Sequence, residues 1–189
     1  AWKPDQITYS QQYEETQADL PLLLHPHPRS AFFLGLGTGI TAGAALRHPI
    51  ERLVAAELSP EVTEASRQYF GAFTNGLFTD PRAEVVAEDG RQYLLASDER
   101  FDVIVSDLFI PWQAGAGNLY SKEHFETVRG RLAPGGLFAQ WLPLYQLSKD
   151  EVLSIVRTFA EVFPQATLWR GDFLADRPIV ALVGQNQAQ

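Results

Sequence analysis

Cysteine and methionine are both missing from this chain of 189 residues. Without cysteine, the chain can form no disulfide, no zinc–thiolate site and no cysteine nucleophile. Basic residues are also scarce, because 15 Lys and Arg stand against 23 Asp and Glu and leave a formal charge of −8. Nucleic acid is therefore not expected as a primary partner, since contacts with phosphates require a basic face.

Long apolar runs are the next absence. No segment approaches the roughly 18 apolar residues that a membrane-spanning helix needs, and no signal peptide opens the chain. We therefore expect a cytoplasmic chain with no direct membrane insertion. Because methionine is missing even at position 1, we interpret the chain as a fragment or a processed product, which leaves open that it belongs to a membrane-anchored longer protein.

The most informative stretch that is present is AFFLGLGTGIT, at residues 31–41. Its apolar residues predict a buried strand, its glycines at positions 35, 37 and 39 predict a tight turn, and the small residues that follow predict a helix. Glycine is required where φ is positive or where the backbone lies directly against a ligand. Because the first N–H groups of a helix have no partner within it, this turn is a candidate ligand site.

Strands and helices alternate along the rest of the chain, which is 46% hydrophobic and 20% charged, as ordinary globular proteins are. The alternation predicts one α/β domain over residues 1–189, with a mostly parallel seven-stranded sheet and helices on both faces. The core is expected at residues 31–184, and its last two strands are a candidate hairpin. Residues 1–30 are expected to be a lead-in, with a short helix around Gln11–Asp19 and then an extended segment, because several prolines interrupt it.

Carboxylates follow three of the predicted strands, at Glu57, at the pair Glu88 and Asp89, and at Asp107. In an open α/β sheet, ligands bind beyond the carboxyl ends of the strands, near the point where the strand order reverses. We therefore expect these acids and the glycine turn to converge on one crevice that binds a nucleoside. Each acid alone is more often a helix cap or a solvated loop residue, so the hypothesis depends on their occurring together.

The spacing of the glycines distinguishes two kinds of nucleotide site. Dinucleotide-binding turns have the pattern G-x-G-x-x-G, but Ile40 stands where the third glycine would fall. An acid after the second strand and another after the third suit an adenosine ligand without a pyrophosphate. This pattern is typical of the Rossmann-like class I methyltransferase fold, which binds S-adenosylmethionine and its relatives. There, residues 35–39 lie under the ligand, Glu57 holds the ribose hydroxyls and Asp89 binds the adenine amino group.

Other polar and aromatic residues are assigned structural roles. Asp102 is expected in a turn at the start of the fourth strand, and His124 on the surface of a helix. Trp141 is expected to pack against neighbouring side chains. Trp112 is the exception, because it lies in a glycine-containing loop that is expected to cover the site.

A closer resemblance comes from the order of short motifs along the chain. In sequence, these are DLPLLLHPHPRS, the glycine turn, ELSPEV, EDGR, FDVIVSD, GNLYSKEHF, LAPGG and QWLPL. The series, which covers roughly residues 9–184, resembles the spermidine synthase (polyamine aminopropyltransferase) family. It is most similar to the bacterial spermidine-synthase-like domains that are often fused to membrane transporter-like segments, in which GLGTGIT, GAGNLY and QWLPLY are characteristic.

The resemblance implies a transferase that moves the aminopropyl group of decarboxylated S-adenosylmethionine to the nitrogen of a small polyamine-like amine, without a metal. It implies that Asp107 is the catalytic carboxylate and leaves a homodimer open. The residues that it implies in donor binding are Gly35, Leu36, Gly37, Thr38, Gly39, Glu57, Leu58, Asp89, Gly90 and Glu14. Those that it implies near the amine substrate are Tyr13, Glu15, Tyr120 and Ile110.

Three positions depart from the family pattern. The family's glycine motif carries an Asp that binds the amine of the donor, and here that position is Thr38. The Gln of its Y-Q-E stretch is Glu14, and its second substrate-binding carboxylate is Ile110. The change at Thr38 removes a charge that would repel the carboxylate of intact S-adenosylmethionine, so methyl transfer is the alternative hypothesis. A non-catalytic ligand-binding domain of a larger membrane protein is the third.

Overall fold

The computed structural model describes residues 4–109, 116–171 and 177–187. In chain order, the strands are β1 (Ser30–Leu34), β2 (Arg52–Glu57), β3 (Ala83–Ala87), β4 (Phe101–Ser106), β5 (Leu132–Pro143), β6 (Thr167–Arg170) and β7 (Ile179–Gln185). The α-helices are α1 (Pro4–Leu24), α2 (Ile40–Ala44), α3 (Pro60–Ala65), α4 (Gly90–Ala96), α5 (Lys122–Arg131) and α6 (Lys149–Val162). Short 3₁₀ turns lie at Ala45–Arg47, Gly71–Phe73, Ala116–Tyr120 and Leu144–Gln146, and a π turn lies at Ser66–Phe70.

The described strands form one seven-stranded sheet in the order β3-β2-β1-β4-β5-β7-β6. The first five strands pair in parallel, and β7 runs antiparallel between β5 and β6. The predicted fold class, a mostly parallel sheet with helices on both faces, is confirmed. The strand order reverses between β1 and β4, because the chain leads from β1 to β2 and β3 on one side and from β4 to β5 on the other. That reversal is where open α/β sheets bind ligands.

The two faces of the sheet bury different side chains. On one face, α1 and α2 supply mostly small residues, among them Ala18 and Ala42, which lie in the same core as Leu22 of α1 and Trp141 of β5. On the other face, α4, α5 and α6 cover a cluster of aromatic rings, in which Phe138 and Phe159 stack with centroids 5.6 Å apart. Burial of a large apolar side chain stabilises the fold by about 1.5–3 kcal/mol. The contacts of Leu22 and its neighbours on the first face therefore fix α1 on the sheet beside the glycine turn.

The N-terminal lead-in differs from its prediction. The structure has a helix over Pro4–Leu24, which includes Pro21, where the sequence predicted a short helix and an extended segment. A proline inside a helix leaves the carbonyl four residues earlier without its N–H partner. That carbonyl, of Gln17, accepts a hydrogen bond of 3.0 Å from Trp141 Nε1 instead. A tertiary contact thus compensates for the local defect, and α1 continues through the proline.

Two polar residues also differ from their predictions. His124 is not on the surface but fully buried, because α5 is packed against α4 and α6 as well as β5. Asp102 lies in β4 rather than in a turn, and its Oδ2 accepts from the backbone N–H groups of Arg29 and Ser30 at 2.8 and 3.0 Å. Asp102 therefore has a structural role, since it holds the start of β1 beside β4.

Within the residues that the structure describes, none of the helices combines the length and the apolar character that crossing a bilayer requires.

Candidate active site

The glycine turn and Asp107 meet where the strand order reverses. Gly35 follows β1, Asp107 follows β4, and these strands are parallel neighbours. Gly35 has φ of +90°, and a Cβ placed on it would lie 3.1 Å from Phe109 Cζ and 3.9 Å from Asp107 Cβ. The lack of a side chain at Gly35 therefore lets the segment after β4 lie directly against the turn.

The carboxyl group of Asp107, just after β4, is perturbed in the direction expected of a proton acceptor. Burial raises the pKa of its carboxyl group, and the hydrogen bond that Leu108 N donates to Oδ1 at 2.7 Å opposes that rise. None of the ion pairs among the described residues involves Asp107. Its carboxylate is therefore available to pair with a cationic ligand in the crevice.

Glu14 reaches this site from α1. Its side chain is hydrogen-bonded to the hydroxyl of Thr38 in the glycine turn. Burial raises the pKa of Glu14 to about 7; the hydrogen bond from Thr38 acts against the rise, and the charge of Asp107 adds to it. Two carboxyl groups with raised pKa values thus flank the turn.

Three tyrosines surround the carboxylates. The pKa of Tyr13 is raised, chiefly by burial and also by a hydrogen bond with Tyr145 and by the charge of Asp107. Tyr120 is buried, and its hydroxyl donates to Phe109 O at 2.7 Å, which fixes the segment after β4. Burial and Asp107 raise the pKa of Tyr120 as well.

Tyr145 and Arg177 are two further residues near the site, and neither has a role predicted from the sequence. Tyr145 lies in the 3₁₀ turn after β5, and the QWLPLY motif that contains it was the available signal. Arg177 acts electrostatically on Tyr13 and lowers its pKa, against the other causes. It lies just before β7, and we find no pattern in the sequence that would have indicated its position.

The strand-end acids Glu57 and Asp89 make hydrogen bonds with the backbone. Glu57 Oε2 accepts from Leu36 N at 3.1 Å, and its Oε1 accepts from Ser59 N at 3.0 Å. Asp89 is exposed and caps α4, because its Oδ1 accepts from Arg91 N at 2.9 Å. Each carboxylate has lone pairs left over that a ribose hydroxyl or an adenine amino group can use.

Two neighbours of these acids complete the predicted donor-binding set. Leu58 is 73% exposed and lies at the end of β2, where its apolar side chain is free to cover a base. Gly90 is buried, and a Cβ added to it would lie 3.0 Å from Leu34 Cγ. The start of α4 therefore packs closely over the end of β1.

The glycine turn uses several of its own N–H groups. Gly39 N donates to Leu36 O at 2.8 Å, and Ile40 N donates to Thr38 Oγ1 at 3.3 Å. The N–H group of Ile40, the first residue of α2, is therefore not free for a ligand. Gly37 differs, because a Cβ placed on it would meet nothing within 4 Å. The open space of the turn lies above Gly37.

The remaining predicted site residues are not seen beside Asp107 and the glycine turn. Glu15 Oε2 pairs with Arg47 at 2.8 Å, and its Oε1 accepts from Gln11 at 2.8 Å. Its predicted contact with the amine stays a prediction. Ile110 and Trp112 lie outside the described residues.

A cleft of about 880 Å³ lies elsewhere, at the opposite end of the sheet, where Arg129, Val162 and Asn186 are among its lining residues. It contains none of the predicted site residues. In the described part of the chain, His, Asp and Glu nowhere form a group of three or more that could hold a metal.

Comparison with known proteins identifies the family. Residues 10–169 match the spermine/spermidine synthase domain. The chain belongs to this family. The polyamine aminopropyltransferase of Aeropyrum pernix is 36% identical over 155 residues, which are 80% of this chain and 49% of that protein. The predicted family is thereby confirmed.

Solved structures agree with the fold. A spermidine synthase in complex with the transition-state analogue AdoDATO superposes with a TM-score of 0.83 and 26% identity, over 95% of this chain and 62% of that one. Human methyltransferase-like protein 13, in complex with SAH, shares the fold with a TM-score of 0.67 and 21% identity, over 95% of this chain and 81% of that one. The chain spans about half the length of the curated relatives that it matches.

Proposed function

We propose that this chain is an aminopropyltransferase domain, which transfers the aminopropyl group of decarboxylated S-adenosylmethionine to a small polyamine-like amine. The observation that carries the proposal is Asp107, a desolvated carboxyl group beside the glycine turn at the reversal of the strand order. Its family relatives named as polyamine aminopropyltransferases support the same reaction.

The residues of the crevice suit a cationic donor. Glu14 and Asp107 are carboxyl groups without a cationic partner among the described residues, and a sulfonium or an ammonium group would compensate their charge. Gly37 leaves space above the turn, and Glu57 and Asp89 keep lone pairs for a ribose and an adenine. We assign the donor's nucleoside to the side of Glu57 and Asp89, and its cationic arm to the side of Glu14.

The donor supplies a carbon next to a positively charged sulfur, which is a good leaving group and needs no general acid. The amine attacks that carbon in line, so the new carbon–nitrogen bond forms as the carbon–sulfur bond breaks and its electron pair goes to sulfur. The by-product is then the neutral thioether 5′-methylthioadenosine. The protein has to hold the amine close to the carbon and keep it unprotonated.

Asp107 performs the second of these tasks in our proposal. Because burial raises its pKa, its carboxylate is a better proton acceptor near neutral pH than an exposed aspartate is. The hydroxyls of Tyr13 and Tyr145, which are hydrogen-bonded to each other, form a polar wall beside it for the amine. Tyr120 holds the backbone at Phe109 in place and so positions the segment that carries Asp107.

Calorimetric titration of the purified chain with decarboxylated and with intact S-adenosylmethionine tests the proposal, together with an assay for methylthioadenosine in the presence of diamines. We expect the decarboxylated donor to bind at least about tenfold more tightly, a difference of about 1.4 kcal/mol, and to be turned over. Preference for the intact donor would support methyl transfer, the alternative that Thr38 favours. Binding without turnover, unchanged in Asp107→Asn, would support a non-catalytic domain.

A further inference from the structure

Glu14 occupies an unusual position for a side chain of the N-terminal helix. It extends from α1 to the hydroxyl of Thr38, at the centre of the glycine turn. Thr38 is itself fixed, because its Oγ1 accepts from Ile40 N at 3.3 Å and its carbonyl accepts from Ser66 Oγ at 2.6 Å. The turn therefore holds the Glu14 carboxyl group in one place, beside the crevice.

The charged groups that the structure describes around Glu14 include no cation paired with it. Arg47, from the segment that packs on α1, is paired with Glu15 at 2.8 Å and with Asp19 at 2.9 Å. His48 is also bound to Asp19, at 2.8 Å. From the sheet, the group that acts on Glu14 is Asp107, and its charge is negative.

The polar wall formed by Tyr13 and Tyr145 supplies no positive charge to Glu14 either. The phenol groups of Tyr13 and Tyr145 carry no positive charge, and Arg177 acts on Tyr13. In the part of the chain that the structure describes, no Lys, Arg or His is paired with Glu14. A half-buried carboxyl group of this kind is compensated best by a cation that arrives with a ligand.

We infer that Glu14, held by Thr38, binds the primary ammonium group of the donor's aminopropyl arm and thereby selects decarboxylated over intact S-adenosylmethionine. The inference rests on the proposed function. The intact donor carries a carboxylate on the carbon that bears this ammonium group, so it would bring a negative charge close to Glu14 and Asp107. Repulsion between like charges in a partly desolvated site then disfavours it.

This assignment also explains why two departures from the family pattern occur together. Thr38 lacks the carboxylate that the glycine motif carries in the family, and Glu14 gains one where the family has Gln. The contact between these two side chains shows that both positions meet at one point. The negative charge is therefore kept in the site but is supplied by α1 instead of the turn.

Proton release on binding gives a readout that a merely structural Glu14 would not produce. With a pKa of about 7, Glu14 is partly protonated at neutral pH in the free protein. An ammonium group beside it favours the charged carboxylate, so binding expels the proton. At pH 7 the expected release is about half a proton for each donor bound.

The experiment is calorimetric titration at pH 7 with both donors, in buffers of different ionisation enthalpy. For the wild-type chain we expect proton release with the decarboxylated donor and a preference for it of at least about tenfold. Glu14→Gln should abolish both the release and the preference. Asp19→Asn, which removes a carboxylate from the same helix, is the matched control and should keep both.

A second variant keeps the test decisive if Glu14→Gln is poorly folded. The exchange Glu14→Gln/Thr38→Asp returns the carboxylate to the turn, and we expect it to restore the preference for the decarboxylated donor. Preference and proton release that persist in Glu14→Gln would overturn the inference and leave the proposed function intact. A wild-type chain that prefers the intact donor, or binds neither, would overturn the proposed function itself.

Discussion

The crevice has two pairs of carboxyl groups whose surroundings differ. Glu57 and Asp89, at the ends of β2 and β3, accept hydrogen bonds from backbone N–H groups at the glycine turn and at the start of α4. Glu14 and Asp107 are desolvated, and burial is the largest cause of the raised pKa of each. The first pair is compensated mainly by the protein, whereas the second pair leaves compensation to a ligand.

Because the two pairs differ in this way, one crevice can bind the nucleoside at one place and transfer the aminopropyl group at another. Backbone N–H groups fix the orientation of Glu57 and Asp89 before any ligand arrives, which suits recognition of a neutral nucleoside. Glu14 and Asp107 instead favour positive charge, and Glu14, with a pKa of about 7, can take up or lose a proton near neutral pH. We therefore assign the nucleoside to the first pair and the cationic groups to the second, and the following predictions test that division.

The largest effect is expected at Asp107. Asp107→Asn removes the proton acceptor but keeps the size of the side chain, so kcat should fall by about 10²–10⁴, whereas the Kd of the donor should change much less. Rates of methylthioadenosine formation measure this, with Asp150→Asn, an exposed acid at the start of α6, as the control. In the wild-type chain, kcat/KM should rise with pH through a pKa above the ordinary 3.8. A full rate for Asp107→Asn would assign the proton to another group.

The second prediction tests whether burial causes the shifted pKa values, by comparing an acid, Glu14, with a base, His124. Glu14 has a folded-state pKa of about 7 against an ordinary 4.5, so its contribution to stability is present at low pH and is lost as pH rises through that window. His124 is buried with neither ring nitrogen bonded, and its pKa is lowered from 6.5 to about 4. Its contribution has the opposite sign and is lost as pH falls from 6.5 towards 4.

Each contribution is at most about 3 kcal/mol, and the two variants should separate them. Urea unfolding between pH 4.5 and 8 should show that Glu14→Gln loses the decline in stability above pH 5. His124→Phe keeps an aromatic ring and should lose the decline below pH 6.5. If both variants keep the pH profile of the wild-type chain, burial does not control these two groups.

The sequence predicts the sheet and most of the strand-end positions well, because these depend on local patterns. Apolar runs next to turn residues locate β1, β2 and β4, and Ser121 caps α5 as a Ser before a helix is expected to do. The π turn at Ser66–Phe70, directly after α3, is the local exception, because no pattern in the sequence indicates it.

Glu14 and Asp107 show what the sequence alone does not predict. Asp107 is found from its position after a strand, but its raised pKa depends on what covers it in three dimensions. The contact between Glu14 and Thr38 joins residues 24 positions apart, and it requires α1 to pack on the sheet beside the glycine turn. That packing includes the hydrogen bond from Trp141, in a distant strand, to Gln17 O, so no local pattern contains it.

The third prediction compares two glycines within the nucleoside half of the site. Gly39→Ala combines a φ of +79° with a Cβ only 2.8 Å from Ser66 Oγ, and it should destabilise the fold by about 2–4 kcal/mol. Gly37→Ala has a φ of +54° but open space around the new methyl group, so about 1–2 kcal/mol is expected. Thermal and urea unfolding measure both.

Gly37→Ala should weaken donor binding more than Gly39→Ala does, relative to the stability that each variant loses. The methyl group of Gly37→Ala points into the space above the turn, where we place the donor, so its Kd should rise although the fold is nearly intact. Normal binding by Gly37→Ala would move the donor away from the turn.

The smallest effect is expected at Asp89, because its carboxylate is exposed and water competes for it. Asn retains the cap of α4, so Asp89→Asn should leave the unfolding midpoint unchanged. Loss of the acceptor for an adenine amino group should weaken methylthioadenosine binding about tenfold, or about 1.4 kcal/mol. The inosine analogue, which lacks that amino group, should bind the variant and the wild-type chain equally. Asp98→Asn, at an exposed acid paired with Arg131, is the control. If the variant weakens both nucleosides alike, Asp89 acts through its charge and does not recognise the base.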